Sequence, residues 1–165
     1  MKTEITPPTD GRPIHTMRMR VRHHEVVHLH VNHAVYLHYL EEATQEHNEA
    51  LGLSIKHLAD ELGGLFMVRH HDITYQGAAT FGDWLTVTTW VDEVSGPRLV
   101  RGYAIHHEES SLLLVAARTT WVFVALESNR PLRVPGVVHD RVLPRARHEP
   151  PCEGQGTPVR VLNGP

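Results

Sequence analysis

Four strand-like stretches, at about residues 65–76, 84–94, 98–108 and 112–126, follow one another with only short connections between them. Each is rich in Val, Thr, Tyr, Trp or Leu, and each is set off by turn residues: Gly77, Gly82-Asp83, Ser95-Gly96-Pro97 and Glu109-Ser110-Ser111. Connections this short suit hairpins, whereas a parallel crossover needs a dozen or more residues. The frame is therefore an antiparallel sheet. The last stretch is apolar on both faces over much of its length, as expected of a central strand.

Two further patterns precede these strands. From Thr16, the residues Met17, Met19 and Val21 alternate with Arg18, Arg20 and Arg22, the period-two signature of a half-buried strand, and this strand runs on towards His24. Residues 33–51 contain no Gly or Pro, and Tyr36, Leu40, Ala43, His47 and Ala50 recur at helical spacing. Asn32 stands where an N-cap belongs and Gly52 where a helix stops. A short second helix is expected at about residues 54–62, closed by Gly63-Gly64. Strand, long helix, short helix and four strands make an α+β layout, with the amphipathic helix covered by one face of the sheet. Residues 1–15 read as a loose leader, 16–137 as the domain, and 138–165 as a Pro/Arg-rich tail with little structure of its own.

Composition narrows the function classes. The 165 residues fit one domain with a single core. A formal charge of -3 offers no basic stripe for nucleic acid or an anionic membrane. The longest apolar run, residues 112–117, is too short to span a bilayer, and the polar, proline-containing start has no secretory h-region. The single cysteine, Cys152, permits no internal disulfide and suits a reducing compartment. A cytoplasmic protein is expected.

The segment His30-Val31-Asn32-His33-Ala34-Val35-Tyr36-Leu37-His38-Tyr39-Leu40-Glu41-Glu42-Ala43 resembles the helix start of the 4-hydroxybenzoyl-CoA thioesterase type of hotdog protein, where G-H-V-N-N leads into A-x-Y-L-x-Y-L-E-E-A. Asp72-Ile73-Thr74-Tyr75 followed by Gly82-Asp83-Trp84-Leu85 resembles that family's D-I-x-Y and G-D-x-L passage, and Arg130-Pro131-Leu132-Arg133-Val134-Pro135 its terminal x-P-x-x-I-P. The resemblance covers about residues 16–136. It implies a hotdog fold, five antiparallel strands wrapped around one long helix. It also implies a homodimer or homotetramer with active sites at the subunit interface, and hydrolysis of an acyl-CoA or acyl-carrier thioester with no cofactor beyond the CoA thioester itself.

The carry-over is incomplete. Counting back from Asn32, the family's glycine falls on Leu29 and its catalytic aspartate on Val26, or on Val27 if the strand slides by one residue. Valine holds the acid position either way. The helix-start N–H groups can still stabilise an oxyanion, because they do not depend on side-chain identity. For the base, Glu25, Glu41, His30 and His33 stand as candidates, with Asn32 to orient water or carbonyl. Tyr36, Tyr39, Leu40 and Val26 are candidate acyl-pocket residues, for an aliphatic or aromatic acyl group. Arg98, Arg101 and Arg133, with Arg130, are candidates for CoA phosphates. Each has a plainer reading: a helix cap for Asn32, solvated or paired glutamates on the helix, surface arginines, and a core or interface role for His47.

Two other functions compete. A hotdog protein without its acid can serve as a non-catalytic acyl-CoA or acyl-carrier binding module. Alternatively, His24, His28, His30 and His33, part of a total of 15 histidines, could bind a metal, though they have no cysteine beside them and no established zinc spacing.

Overall fold

The computed structural model describes residues 5–143. Five strands form one antiparallel sheet in the order β1-β5-β6-β7-β4, with β1 at Ile14–Arg20, β4 at Gly64–Tyr75, β5 at Trp84–Ser95, β6 at Arg98–His107 and β7 at Leu113–Ala125. The sheet wraps around helix α1, His33–Ala50, and this is the hotdog fold. A shorter helix, α2 (Ile55–Leu62), and a third, α3 (Gly136–Val142), close the end of the sheet near the α1 C-terminus.

Local chemistry sets the helix ends. The Asn32 side chain accepts from Ala34 N–H at 3.0 Å, and Ser54 Oγ accepts from His57 N–H at 3.1 Å. Both helices are followed by glycines in the left-handed region, Gly52 at φ 67° and Gly63 at φ 66°, where a side chain would be strained. The inward stripe of α1 (Tyr36, Tyr39, Leu40, Ala43) packs on Met17, Leu85, Val87, Tyr103, Ile105 and Val115 from the concave sheet face. Each large side chain buried there contributes about 1.5–3 kcal/mol of transfer free energy.

A second cluster joins α2 and α3 to the sheet through Leu53, Leu58, Leu99, Phe123, Val138 and Val142. The convex face is capped separately. Trp90 lies across Gly102, its cross-strand partner, where any Cβ would sit 2.6 Å from the indole ring. Ile5 then packs on Trp90, Ala104 and Ala116.

Four features differ from the sequence expectations. β1 ends at Arg20, and a single 3-10 turn, His23–Glu25, replaces its projected continuation. A two-stranded hairpin, β2 (Val26–Val27) with β3 (His30–Val31), precedes the helix. The leader is held in place from residue 5: Ile5 is 7% exposed, and Arg12 donates to Val91 O at 2.8 Å and Asp92 O at 2.9 Å. Finally, Val138 and Val142 belong to a packed helix rather than to a tail. The expectation for residues 144–165, Cys152 included, lies outside the described residues.

Candidate active site

The approach to α1 is built by short-range contacts. Glu25 Oε2 accepts from Arg22 N–H at 2.6 Å, closing the 3-10 turn, and from the Tyr39 hydroxyl at 3.0 Å. Burial first, and then this bond to Glu25, holds the Tyr39 phenol well above its ordinary pKa. In the β2–β3 hairpin the turn residues His28 and Leu29 have φ of 50° and 76°. Two positive φ values are the requirement of a type I′ turn, normally met by Asn-Gly or Gly-Gly. Leu29, which aligns with the family's glycine, therefore keeps the glycine conformation without the glycine. Val26 packs against the main core, and Val27 is 48% exposed.

Val26 and Val27 stand where the resemblance places the aspartate, and the helix-start donors are fewer than the sequence suggests. Ala34 N–H is taken by the Asn32 side chain and Val35 N–H donates to Asn32 O at 2.9 Å. Among the N–H groups of residues 33–35, that of His33 alone has no partner among the described residues. Asn32 is thus occupied as a cap.

Further along, α1 runs beside β4. The Tyr75 hydroxyl donates to His33 O at 3.1 Å, and the two rings meet edge to face at 6.5 Å. Past this point a cavity of about 370 Å³ opens between the helix and β4, lined by Leu37, Leu40, Glu41, Phe66, His71 and Trp121 among others. His71 Nδ1 is 2.8 Å from Thr119 Oγ1, which orients its ring. Burial lowers the His71 pKa, His70 lowers it further, and Glu41 opposes the shift. His71 is thus biased towards the neutral imidazole and shares the cavity lining with Glu41. The sequence reading missed it, although alternation back from Tyr75 and Ile73 puts His71 on the same face of the strand.

The other candidates scatter. Glu25 and Tyr39 line a separate cavity of about 650 Å³ on the β1 flank of α1, with Arg18, Glu42 and Trp84. Glu25 is engaged as a brace there, away from Glu41. Tyr36 is a core residue whose hydroxyl oxygen accepts from Ala79 N–H at 3.1 Å. His30 is exposed on β3. His24, His28, His30 and His33 sit on a 3-10 turn, a hairpin turn, a strand and a helix. Among the described residues no group of three or more His, Cys, Asp or Glu converges on a metal-sized site.

The three arginines also part company. Arg98 and Arg133 are exposed, at the end of the sheet near the α1 C-terminus, where Val134 N–H donates to Gly96 O at 2.8 Å. Arg101 is 2% exposed beneath α1 and donates to His47 Nδ1 and Asn48 Oδ1, both at 2.8 Å. As a surface ligand for CoA phosphates, Arg101 is corrected: it faces the interior because it shares a strand face with Leu99 and Tyr103. His47, by contrast, is the core histidine that its place on the apolar stripe suggests.

Comparison with known proteins gives this geometry its family. The sequence model of the thioesterase-like superfamily matches residues 21–142. The chain belongs to that superfamily. Among solved structures, a probable thioesterase from Bartonella henselae is 27% identical, with a TM-score of 0.68 over 74% of this chain and 100% of that one. A 1,4-dihydroxy-2-naphthoyl-CoA thioesterase from Synechocystis is 22% identical, with a TM-score of 0.72 over 79% of this chain and 96% of that one. A hypothetical protein from Staphylococcus aureus, solved in complex with CoA, is 19% identical, with a TM-score of 0.73 over 79% of this chain and 82% of that one. No curated protein matches the chain in sequence. As a thioesterase-like superfamily member of the 4-hydroxybenzoyl-CoA type, this chain has thioester hydrolysis as its general activity. Among the described residues no helix is long and apolar enough to cross a membrane.

Proposed function

We propose that the chain hydrolyses an acyl-CoA thioester in the cleft between α1 and β4, with Glu41 as the base that Val26 does not supply. The observation that carries this reading is that Glu41 and His71 line one cavity, with Glu41 opposing the lowering of the His71 pKa. Glu41 would take a proton from water as its oxygen attacks the thioester carbonyl. The carbonyl oxygen becomes an oxyanion, the C–S bond then breaks, and the CoA thiolate leaves and is protonated. Neutral His71 fits a role in holding the water or passing on the proton. The acyl group would lie along Leu37, Leu40 and Phe66, and is aliphatic or aromatic. CoA, the ligand bound in the Staphylococcus aureus structure, is favoured over a carrier protein, and the exposed Arg98 and Arg133 are available to its phosphates.

His33 and Glu41 are eight residues apart, about 12 Å along the helix axis. That is too far for both to serve one carbonyl within a single chain. β4 is an edge strand of 12 residues with Met67 56% exposed and Val68 45% exposed. Such an edge invites pairing. Two-fold pairing of β4 with a second copy would swing that copy's helix start towards this chain's Glu41 and complete the site with an oxyanion donor. The working unit is therefore at least a homodimer, cytoplasmic, with shared sites.

Free-thiol release from a panel of aliphatic and aromatic acyl-CoAs, with and without chelator, tests this reading. Glu41→Gln should lower kcat/KM by about 10²–10⁴, the range for a general base, while His30→Ala leaves it near wild type. The occupied Asn32 cap and the apolar Val26 favour one rival, a binding protein without turnover. Saturable acyl-CoA binding with no thiol release would establish it.

A further inference from the structure

The cavity between α1 and β4 does not end at Glu41. Glu41, Phe66 and Trp121 also line a second, solvent-open cleft of about 200 Å³ between the C-terminal half of α1, α2, α3 and the sheet. The walls run on from one space to the other. On α1, Leu37 and Glu41 line the first, and Glu41, Gln45 and Asn48 the second, one helical stripe at spacings of three and four. On the floor, Tyr103 gives way to Arg101 and Leu99, which share one face of β6.

The second cleft has the character of hydrocarbon. Ile55 is 53% exposed on its wall, and Leu65, Phe66 and Trp121 are half-buried there. Several of its polar groups are withdrawn. Arg101 is 2% exposed, with its guanidinium bonded to His47 and Asn48. Thr44 Oγ1 is bonded to Leu40 O and the Tyr103 hydroxyl. Trp121 Nε1 is buried, so the indole shows carbon to the cleft. Helix α3 stands across the far end: Arg141 donates to Leu51 O and Gly52 O just past the α1 C-terminus, and Val138 and Val142 line the cleft.

We propose that this cleft receives the tail of a straight-chain aliphatic acyl group whose thioester lies at Glu41, and that α2 and α3 set the length accepted. The inference rests on the α1/β4 cavity as the thioester site and narrows that reading to medium-chain acids. A benzoyl group is too short to leave the first cavity and would leave the apolar wall at Ile55 uncovered. Glu41 and Asn48 are seven residues apart, about 10 Å along the helix axis. C–C bonds of about 1.5 Å at tetrahedral angles advance roughly 1.3 Å per carbon, so about eight carbons reach the level of Asn48.

The test is calorimetric titration of the full chain with S-alkyl-CoA thioethers bearing butyl, hexyl, octyl and decyl groups, and with S-benzyl-CoA. Thiol release from the matching acyl-CoAs is measured beside it. A thioether has no carbonyl to attack, so binding is read without turnover. Affinity should rise by up to about fourfold per added methylene as far as octyl and then level off. Octyl should bind at least tenfold tighter than benzyl. Ile55→Glu sets a charge in the wall, in the first turn of α2 where the helix dipole favours it, and Gln45→Trp fills the cleft. In each variant the loss of affinity should grow with chain length. Affinity independent of length, benzyl bound as tightly as octyl, or an equal loss at every length in both variants would overturn the proposal. Length-dependent binding without thiol release from any acyl-CoA would remove Glu41 as the base and leave the acyl cleft standing. Thiol release with length-independent binding would do the opposite.

Discussion

The Tyr39 hydroxyl donates to Glu25 Oε2 at 3.0 Å, tying the middle of α1 to the 3-10 turn that precedes the hairpin. Glu25, the carboxylate beside the vacant acid position in sequence, is therefore structural. Glu25→Ala strands the Tyr39 hydroxyl and removes the cap on Arg22 N–H. It should cost about 1–3 kcal/mol in chemical denaturation, with kcat/KM within a few-fold of wild type. A loss of activity as large as that of Glu41→Gln would make Glu25 the base instead.

The position of Leu29 yields a stabilising change. At φ 76° and 80% exposed, this residue carries backbone strain with little packing to lose. Leu29→Gly should raise stability by roughly 1 kcal/mol, since a side chain in the left-handed region costs about 1–2 kcal/mol and glycine's unfolded-state entropy takes back part of the gain. Thermal denaturation should show a melting temperature a few degrees higher.

His47 makes stability depend on pH. Burial first, then Arg101 and His15, holds its pKa down at about 3, against 6.5 for an ordinary histidine. The unfolded chain therefore binds a proton below pH 6.5 that the folded chain refuses. The His47 contribution is fully present above pH 6.5 and shrinks as pH falls towards 3, by about 2 kcal/mol at pH 5. Urea unfolding at pH 7 and pH 5 should show this drop, and His47→Gln should flatten it.

His71 predicts a different pH response, in rate. Its pKa is lowered by burial, with His70 assisting. The acid limb of kcat/KM should therefore lie below the pH at which an ordinary histidine titrates. His71→Asn should remove or move the acid limb. An unchanged limb would exclude His71 from the chemistry.

Edge pairing through β4 is tested by charge. Met67→Glu with Val68→Lys puts solvated groups on the exposed edge. The expected outcome is a monomer in size-exclusion chromatography with light scattering, and loss of thiol release with the helices retained by circular dichroism. A dimer that survives both changes would place the interface elsewhere.

Much of this architecture was legible because its determinants are local. Asn32 caps α1, Gly52 and Gly63 close the helices, and the turns at Ser95-Gly96-Pro97 and Glu109-Ser110-Ser111 fall at the β5–β6 and β6–β7 hairpins, whereas Gly77 and Gly82-Asp83 lie on a crossover from β4, which pairs with β7, to β5. Helix α3 was not legible: Val138 and Val142 form a single i, i+4 pair, too short for a period, and their partners on α2 and β5 are distant in sequence. The hairpin at residues 26–31 escaped for a related reason, since its two-residue strands are too short to alternate. At the proposed site, Glu41 was one of several base candidates near the helix motif, beside Glu25, His30 and His33. His71 and the burial of Arg101 needed strand parity to be followed residue by residue, from Tyr75 in one case and from Leu99 and Tyr103 in the other. The separation of Glu25 from Glu41 on opposite flanks of α1 has no sequence signal, because both residues sit close to the recognised motif.

The lid that Ile5 forms over Trp90 bears on how the protein is handled. Trimming the chain to residue 16, where sequence patterning first becomes regular, would uncover an indole and two alanines on the convex face and cut away the Arg12 contacts to β5. A shortened protein of this kind would present a sticky outer surface, and any self-association it showed would be an artefact of the cut.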